Sequence, residues 1–179
     1  MPCLEIVPDR AFSFLVKTMK TYVITLSQVF PSTHARAGEP TFFRDKLHAA
    51  ITGNEEYWRK VHTIRANYEL WKKRFEKIEK GEACLSIRQW EGKPYRSKQV
   101  ELMRLTRENG IGIQTLQFAK DTYNGRLGLF ACLIDGVCLP SLRILAENDG
   151  LSLEDWAAWF KDYELSKPMA IIHFTKFRY

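Results

Sequence analysis

The sequence lacks the cysteine and histidine patterns that mark disulfide frameworks and metal sites. Its four cysteines are Cys3, Cys84, Cys132 and Cys138, and no C-x-x-C pair is among them. Three of the four lie in apolar, strand-like stretches, where cysteine behaves as a small hydrophobic residue. No further His or Cys stands at the spacing of a metal site. We therefore expect a reduced, cytoplasmic setting, without a metal or another cofactor.

The chain also lacks an apolar run that could cross a membrane, which needs about 20 residues. The N-terminal stretch "AFSFLV" is short, follows Asp9 and Arg10, and precedes no small-residue cleavage site, so it is unlike a secretory signal. Residues 1–18 have no clear period, whereas a strand-like pattern begins at Met19. We expect a soluble protein without a membrane partner, in which 1–18 is a non-essential extension of a domain spanning 19–179.

No repeat, low-complexity tract or second domain is evident in the 179 residues. A chain of this length forms one domain that buries roughly two-thirds of its unfolded surface. The 27 Lys and Arg residues outnumber the 21 Asp and Glu residues, which is a mild bias toward phosphates and other anions. The basic residues concentrate between Arg59 and Lys98, where five glutamates partly offset them. A nucleic-acid contact and a merely solvated basic face both fit this pattern.

Short strands separated by turns dominate the chain. Their β-branched and aromatic content predicts strands at 22–29, 60–65, 83–90, 99–106 and 169–177, and 112–118 is a further candidate. Helices are predicted at 41–52, 67–80, 141–148 and 152–163, and Asp135-Gly136 predicts a hairpin turn. The strands would leave unpaired edges unless the sheet closes. The sequence therefore predicts an α+β domain built on a small β-barrel of five or six strands, with helices covering the rims and helix 41–52 over one opening.

The stretch "RKVHTIRANYELWKKR", residues 59–74, carries the most specific pattern. An extended backbone puts Thr63 and Arg65 on one face and His62 on the other. Lys60 lies three residues before Thr63, so in a straight strand its side chain would point to the opposite face. It can join Thr63 only if the chain is still turning at 60–61. With that turn, an ammonium, a hydroxyl and a guanidinium would converge on one ligand. The alternative is that Lys60 and Arg65 are solvated and that Thr63 is an ordinary strand residue. We interpret His62 as a strand residue rather than as a base or a ligand.

These residues resemble the hallmark G-x-K-x-x-T-x-R of the ASCH family in the PUA-like superfamily. Lys60, Thr63 and Arg65 match it, and the later stretches "GEACLSI", "DGLSLEDWAAWF" and "PMAIIHFTKF" are similar to the family's subsequent elements. The likeness covers residues 22–177. The sequence departs from the family in the loop before the lysine, because "NEEYWR" separates Gly53 from Lys60.

The resemblance implies a PUA-like barrel with a cleft for RNA, a nucleotide or a modified nucleoside. Some members remove the acyl group from N4-acetylcytidine, and others are RNA-binding or nucleolytic. Carried over, the amidohydrolase would use Thr63 as nucleophile, Lys60 as base and Asp149 as the acidic residue, with Glu147 as the alternative acid. Lys60 can act as a base only if its pKa is lowered by burial or by Arg65, and an adjacent Asp149 would oppose that shift.

The loop "EGKPYRSK" between two predicted strands is the expected rim of the cleft. Trp90 and Tyr95 flank it or lie within it, and Lys93, Arg96 and Lys98 are interleaved with them. Aromatic rings stack on bases and cations hold phosphates, so this loop is predicted to contact the ligand, although a plain charged hairpin tip is the alternative.

Ser86 and Arg88 share a strand face with Trp90 and are predicted to line the same cleft. An RNA- or nucleotide-binding module is preferred to an amidohydrolase, because the altered Lys60 loop threatens catalytic geometry more than ligand affinity.

Overall fold

A computed structural model describes residues 19–54, 58–120 and 127–179 of the chain. The segment 1–18, predicted to be a non-essential extension, lies outside the described residues. In chain order the strands are β1 (Lys20–Leu26), β2 (His62–Arg65), β3 (Ala83–Trp90), β4 (Gln99–Leu105), β5 (Gly112–Lys120), β6 (Leu127–Ile134), β7 (Val137–Cys138) and β8 (Met169–His173). The helices are α1 (Phe43–Thr52), α2 (Tyr68–Glu79), α3 (Leu142–Asn148) and α4 (Leu153–Phe160).

The strands of the described residues form two sheets. One has three strands in the order β1-β3-β4, with β1 parallel to β3 and β3 antiparallel to β4. The other has five strands in the order β2-β8-β5-β6-β7, and all its neighbours are antiparallel. The predicted α+β class is confirmed. Closure into a barrel is not seen in the pairing of these strands, because no ladder of hydrogen bonds joins the two sheets.

Side-chain hydrogen bonds cap the N-termini of two of the helices. The side-chain oxygen of Asn67 accepts a hydrogen bond from the Leu70 amide (3.1 Å), which caps the N-terminus of α2. At the start of α4, the Ser152 hydroxyl accepts from the Asp155 amide in the same way. The helix predicted at 41–52 begins at Phe43, and the Thr41 hydroxyl before it donates to the Ser27 carbonyl (2.7 Å).

A single apolar core lies between the sheets and the helices. Strand β8 is buried at every residue, as expected for a central, covered strand. Trp156 of α4 and Phe75 of α2 are fully buried, and α1 contributes Phe43 and Leu47. Within the described ranges, none of the helices is both long enough and apolar enough to cross a membrane.

Candidate functional site

The chain turns immediately before β2. The Lys60 amide donates to the Lys46 carbonyl (3.0 Å) and the Val61 amide donates to the Asn148 carbonyl (2.9 Å), so both amides bond outside the sheet, although the Val61 carbonyl accepts from the Phe174 amide (2.9 Å). The ladder with β8 begins only at His62. This is the corner that the K-x-x-T-x-R spacing required, and it brings the Lys60 side chain to the same side as Thr63 and Arg65.

Four of the predicted site residues line one cavity of about 210 Å³. They are Lys60, Thr63, Arg65 and Asp149, and we call this cavity the inner cleft. Its remaining walls are Thr25, Leu26, Ser27, Phe43, Ile64, Leu151, Trp159, Phe160 and Tyr163. Glu147, the alternative acid, is exposed on α3 outside the cleft, and its carbonyl accepts from Nε1 of Trp58.

Lys60 and Asp149 form a buried ion pair at the base of the inner cleft. Nζ of Lys60 contacts Oδ1 of Asp149 and also donates to the Asp149 carbonyl (2.6 Å). Only 1% of Lys60 and 4% of Asp149 is exposed. Burial lowers the pKa of Lys60, and the adjacent carboxylate opposes this shift. Burial likewise raises the pKa of Asp149 against the opposing effect of Lys60. The pairing that would weaken a general-base role for Lys60 is therefore present.

Arg65 fixes the Thr63 hydroxyl and ties β2 to β1. Its Nη1 donates to Oγ1 of Thr63 and to the Ile64 carbonyl, and its Nη2 donates to the Thr25 carbonyl, all at 2.9 Å. Because arginine cannot accept a hydrogen bond, Thr63 is the acceptor and keeps its own hydroxyl hydrogen for another partner.

A second polar group stands behind Asp149, on the other face of β2. Nδ1 of His62 lies 4.0 Å from Oδ1 of Asp149, which is too long for a hydrogen bond. Nε2 of His62 lies 2.7 Å from the Tyr179 hydroxyl, which accepts from the Asn148 side-chain amide (3.1 Å). Burial lowers the pKa of His62 well below 6.5, so the ring is neutral, and Nδ1, which faces Asp149, has no hydrogen-bond partner among the described residues.

His62, Asn148 and Tyr179 were not predicted as site residues. The strand period places His62 opposite Thr63, which is correct, but it says nothing about what lies on that side. His62 and Tyr179 are 117 residues apart. No local sequence signal could have joined them.

A cavity of about 370 Å³ lies at the end of β1 and shares part of its wall with the inner cleft. Both cavities are lined by the segment 25–27. We call the second one the outer pocket, and its other walls are Gln28, Val29, Trp90, Gly92, Pro94, Tyr95 and Gln99. The rings of Trp90 and Tyr95 lie 5.3 Å apart and are tilted by 52°. Lys93 and Arg96 are exposed on the same hairpin tip.

Ser86 and Arg88 were predicted to line the cleft, and the structure places them elsewhere. They lie on the β3 face that carries Trp90, but the neighbouring strand supplies Glu101 to both of them. The Ser86 hydroxyl donates to Glu101, Nε of Arg88 donates to the Ser86 oxygen (2.9 Å), and Nη2 of Arg88 is 4.0 Å from Glu101. Neither residue lines the inner cleft or the outer pocket.

Gly150 allows two lysine stems to pass beside the inner cleft. Its φ of +81° lies in the left-handed region that favours glycine. A Cβ at this position would also stand 3.2 Å from Cβ of Lys60 and 3.3 Å from Cδ of Lys46. Nζ of Lys46 donates to the Gly150 carbonyl (2.8 Å), and burial lowers the pKa of Lys46 to about 8.

A third cavity, of about 810 Å³, lies along the outside of α1 and is lined in part by Phe42, Lys46 and Trp58. None of the four residues of the inner cleft lines it. Among the described residues, no group of three or more His, Cys, Asp or Glu is arranged to hold a metal ion.

Comparison with protein-family models, with curated proteins and with solved structures finds no match. The resemblance to the ASCH family therefore depends on the residues quoted above and stays a prediction.

Proposed function

We propose that this chain is a PUA-like, ASCH-type module that binds RNA or a nucleotide in the cytoplasm, with one base entering the inner cleft. The observation that carries the proposal is the meeting of Lys60, Thr63, Arg65 and Asp149 in one cavity. Together they offer hydrogen-bond donors and a carboxylate acceptor at short range. That mixture complements the edge of a base, where a carboxylate accepts from an exocyclic amine and cations donate to carbonyl oxygens or ring nitrogens.

The size of the inner cleft supports a base rather than a whole nucleotide as its occupant. Its volume of about 210 Å³ is below the roughly 300–1,000 Å³ of pockets that enclose drug-sized ligands.

Binding is preferred to catalysis because of the state of Lys60. A general base must be neutral, whereas the ion pair with Asp149 stabilises the ammonium form. Two directions of the Lys60 ammonium are already taken by the side chain and carbonyl of Asp149. The ion pair is therefore better suited to orienting a ligand than to removing a proton.

An amidohydrolase is the second candidate, and the Arg65–Thr63 hydrogen bond favours it. The bond holds Oγ1 of Thr63 in the same cavity as Lys60. In that reaction Oγ1 would attack the acyl carbon, its proton would pass to a neutral Lys60, and the released amine of the base would take up that proton. Water would then hydrolyse the acyl-threonine ester.

The test combines RNA binding, measured by fluorescence anisotropy with short labelled RNAs, and turnover of N4-acetylcytidine. Arg65→Ala should weaken binding by roughly 10-fold or more, because hydrogen bonds to a charged group contribute about 1.5–3 kcal/mol. Thr63→Ala should cost about 1 kcal/mol. Arg143→Ala, an exposed arginine of α3 outside both cavities, is the matched control.

Folding of each variant is checked by its unfolding transition. Failure of the folded, unsubstituted protein to bind any RNA or nucleotide would overturn the proposal. Turnover that is lost in Thr63→Ala and partly kept in Thr63→Ser would establish the second candidate instead.

A further inference from the structure

We infer that the ligand is a single strand of at least two nucleotides, with one base in the inner cleft and the neighbouring base in the outer pocket against Trp90 and Tyr95. This inference rests on the proposed function and narrows it, because a free nucleoside or mononucleotide would fill only one of the two cavities.

The first support is that the two cavities are neighbours. The segment 25–27 at the end of β1 lines both, so the outer pocket lies next to a base in the inner cleft. The outer pocket, at about 370 Å³, is the larger of the two. A base in the inner cleft therefore has a second, larger space beside it.

The second support is the aromatic wall of the outer pocket. Trp90 is the last residue of β3, and its strand position holds the indole in place while part of the ring stays accessible. Tyr95 is 89% exposed, and its ring lies 5.3 Å from that of Trp90. Because the rings are tilted by 52°, a flat base can stack face to face on only one of them. Stacking on aromatic side chains is how single strands are held without reading their sequence.

The third support is the distribution of charge, which gives the strand an orientation. Lys93 and Arg96 are exposed on the tip beside the outer pocket, and Glu91 is the only acidic residue within the tip, 91–98. The acidic group in the inner cleft is the buried Asp149. Phosphates are thus attracted to the rim, while Asp149 offers the interior an acceptor for the exocyclic amine of a base. A strand would insert a base and keep its backbone outside.

Isothermal titration with nucleoside monophosphates and the matching homodinucleotides tests the inference. At least one dinucleotide should bind roughly 10-fold or more tightly than its mononucleotide, which is within the range that stacking of one base contributes. Trp90→Ala should remove most of this gain, so that the dinucleotide and the mononucleotide then bind with similar affinities. Trp58→Ala, which removes a partly exposed tryptophan that lines neither cavity, should preserve the gain.

The outcomes separate the two proposals. Mononucleotide binding with no gain for any dinucleotide would overturn the two-nucleotide ligand and leave the proposed function standing. A gain that survives both Trp90→Ala and Tyr95→Ala would also overturn it, because the second base would then lie elsewhere. Binding of neither probe would count against both proposals.

Discussion

The inner cleft and the hairpin tip, 91–98, take their cations from the same basic part of the sequence but place them in opposite environments. Lys60 is 1% exposed and touches a carboxylate, whereas Lys93 and Arg96 are exposed on the tip. A buried charge costs several kcal/mol of desolvation unless a partner offsets it. An exposed charge costs little, and salt screens its effect over about 10 Å. The charge of Lys60 therefore affects the stability of the fold, whereas Lys93 and Arg96 can attract a ligand with little effect on stability.

The largest expected effect is on the inner cleft. Asp149→Ala should lower the free energy of unfolding by about 3–5 kcal/mol, because it leaves Lys60 buried without its partner. Chemical denaturation measures this. Glu39→Ala removes one of the two acidic partners of Arg36, in an exposed ion pair, and should cost much less stability.

A double variant at the same site distinguishes the effect of an unpaired buried charge from the effect of lost side-chain volume. Replacing Lys60 by Met and Asp149 by Leu removes both charges and keeps similar volumes, so most of the lost stability should return. Equal losses in Asp149→Ala and Glu39→Ala would mean that the buried pair is no more important for folding than a surface pair.

A comparable effect is expected from acid, again in the interior. His173 is fully buried, and neither of its ring nitrogens has a hydrogen-bond partner among the described residues. Burial lowers its pKa from 6.5 to about 3. Between these values the unfolded chain binds a proton that the folded chain does not. His173 should therefore not reduce the free energy of unfolding above pH 6.5. As the pH drops toward 3, it should lower that free energy by up to about 1.4 kcal/mol per pH unit.

Urea unfolding at several pH values compares the unsubstituted protein with His173→Phe. The substituted chain should lose less stability between neutral and acidic pH, since one of the interior histidines no longer titrates. His62, which burial also affects, keeps part of the dependence. His48→Gln, at an exposed position of α1, is the control. An identical pH dependence in His173→Phe and the unsubstituted protein would mean that His173 does not cause the loss of stability in acid.

The smallest effect on stability is expected at the tip. Replacing Lys93 and Arg96 together by Gln should change the free energy of unfolding by no more than about 0.5 kcal/mol. The same change should reduce the slope of log affinity for RNA against log salt by about 0.7 for each phosphate that the protein no longer neutralises. Lys161→Gln, at another exposed lysine, should alter neither quantity. A loss of stability in the tip variant would mean that these cations also support the fold.

Elements with strong local signals could be predicted from the sequence. The predicted strand 83–90 coincides with β3, and the predicted helix 67–80 differs from α2 by one residue at each end. The turn at Asp135-Gly136 has both residues at positive φ, as the dipeptide suggests. The strand predicted at 22–29 instead ends at Leu26, because Thr41 binds the carbonyls of Ser27 and Gln28.

Long-range pairing could not be predicted in this way. Nothing in the stretch 20–26 indicates that its partner is β3, and the separation into two sheets depends on that choice. Alternation along β2 was enough to put Thr63 and Arg65 on one side. The selection of Asp149 over Glu147 depends on where α3 ends relative to Lys60, which is a matter of tertiary packing.

The parallel pairing of β1 with β3 also affects how the chain folds during its synthesis. Thr21 and Cys84 meet across this pair although 63 residues separate them. At roughly 5–20 residues per second, a ribosome would need about 3–13 s to make that interval. Among the described strands, β1 has no other partner, so its backbone groups stay unpaired until β3 emerges. The segment 25–27 then reaches its place late, and slower translation before Ala83 would prolong the time in which a newborn β1 can associate with other chains.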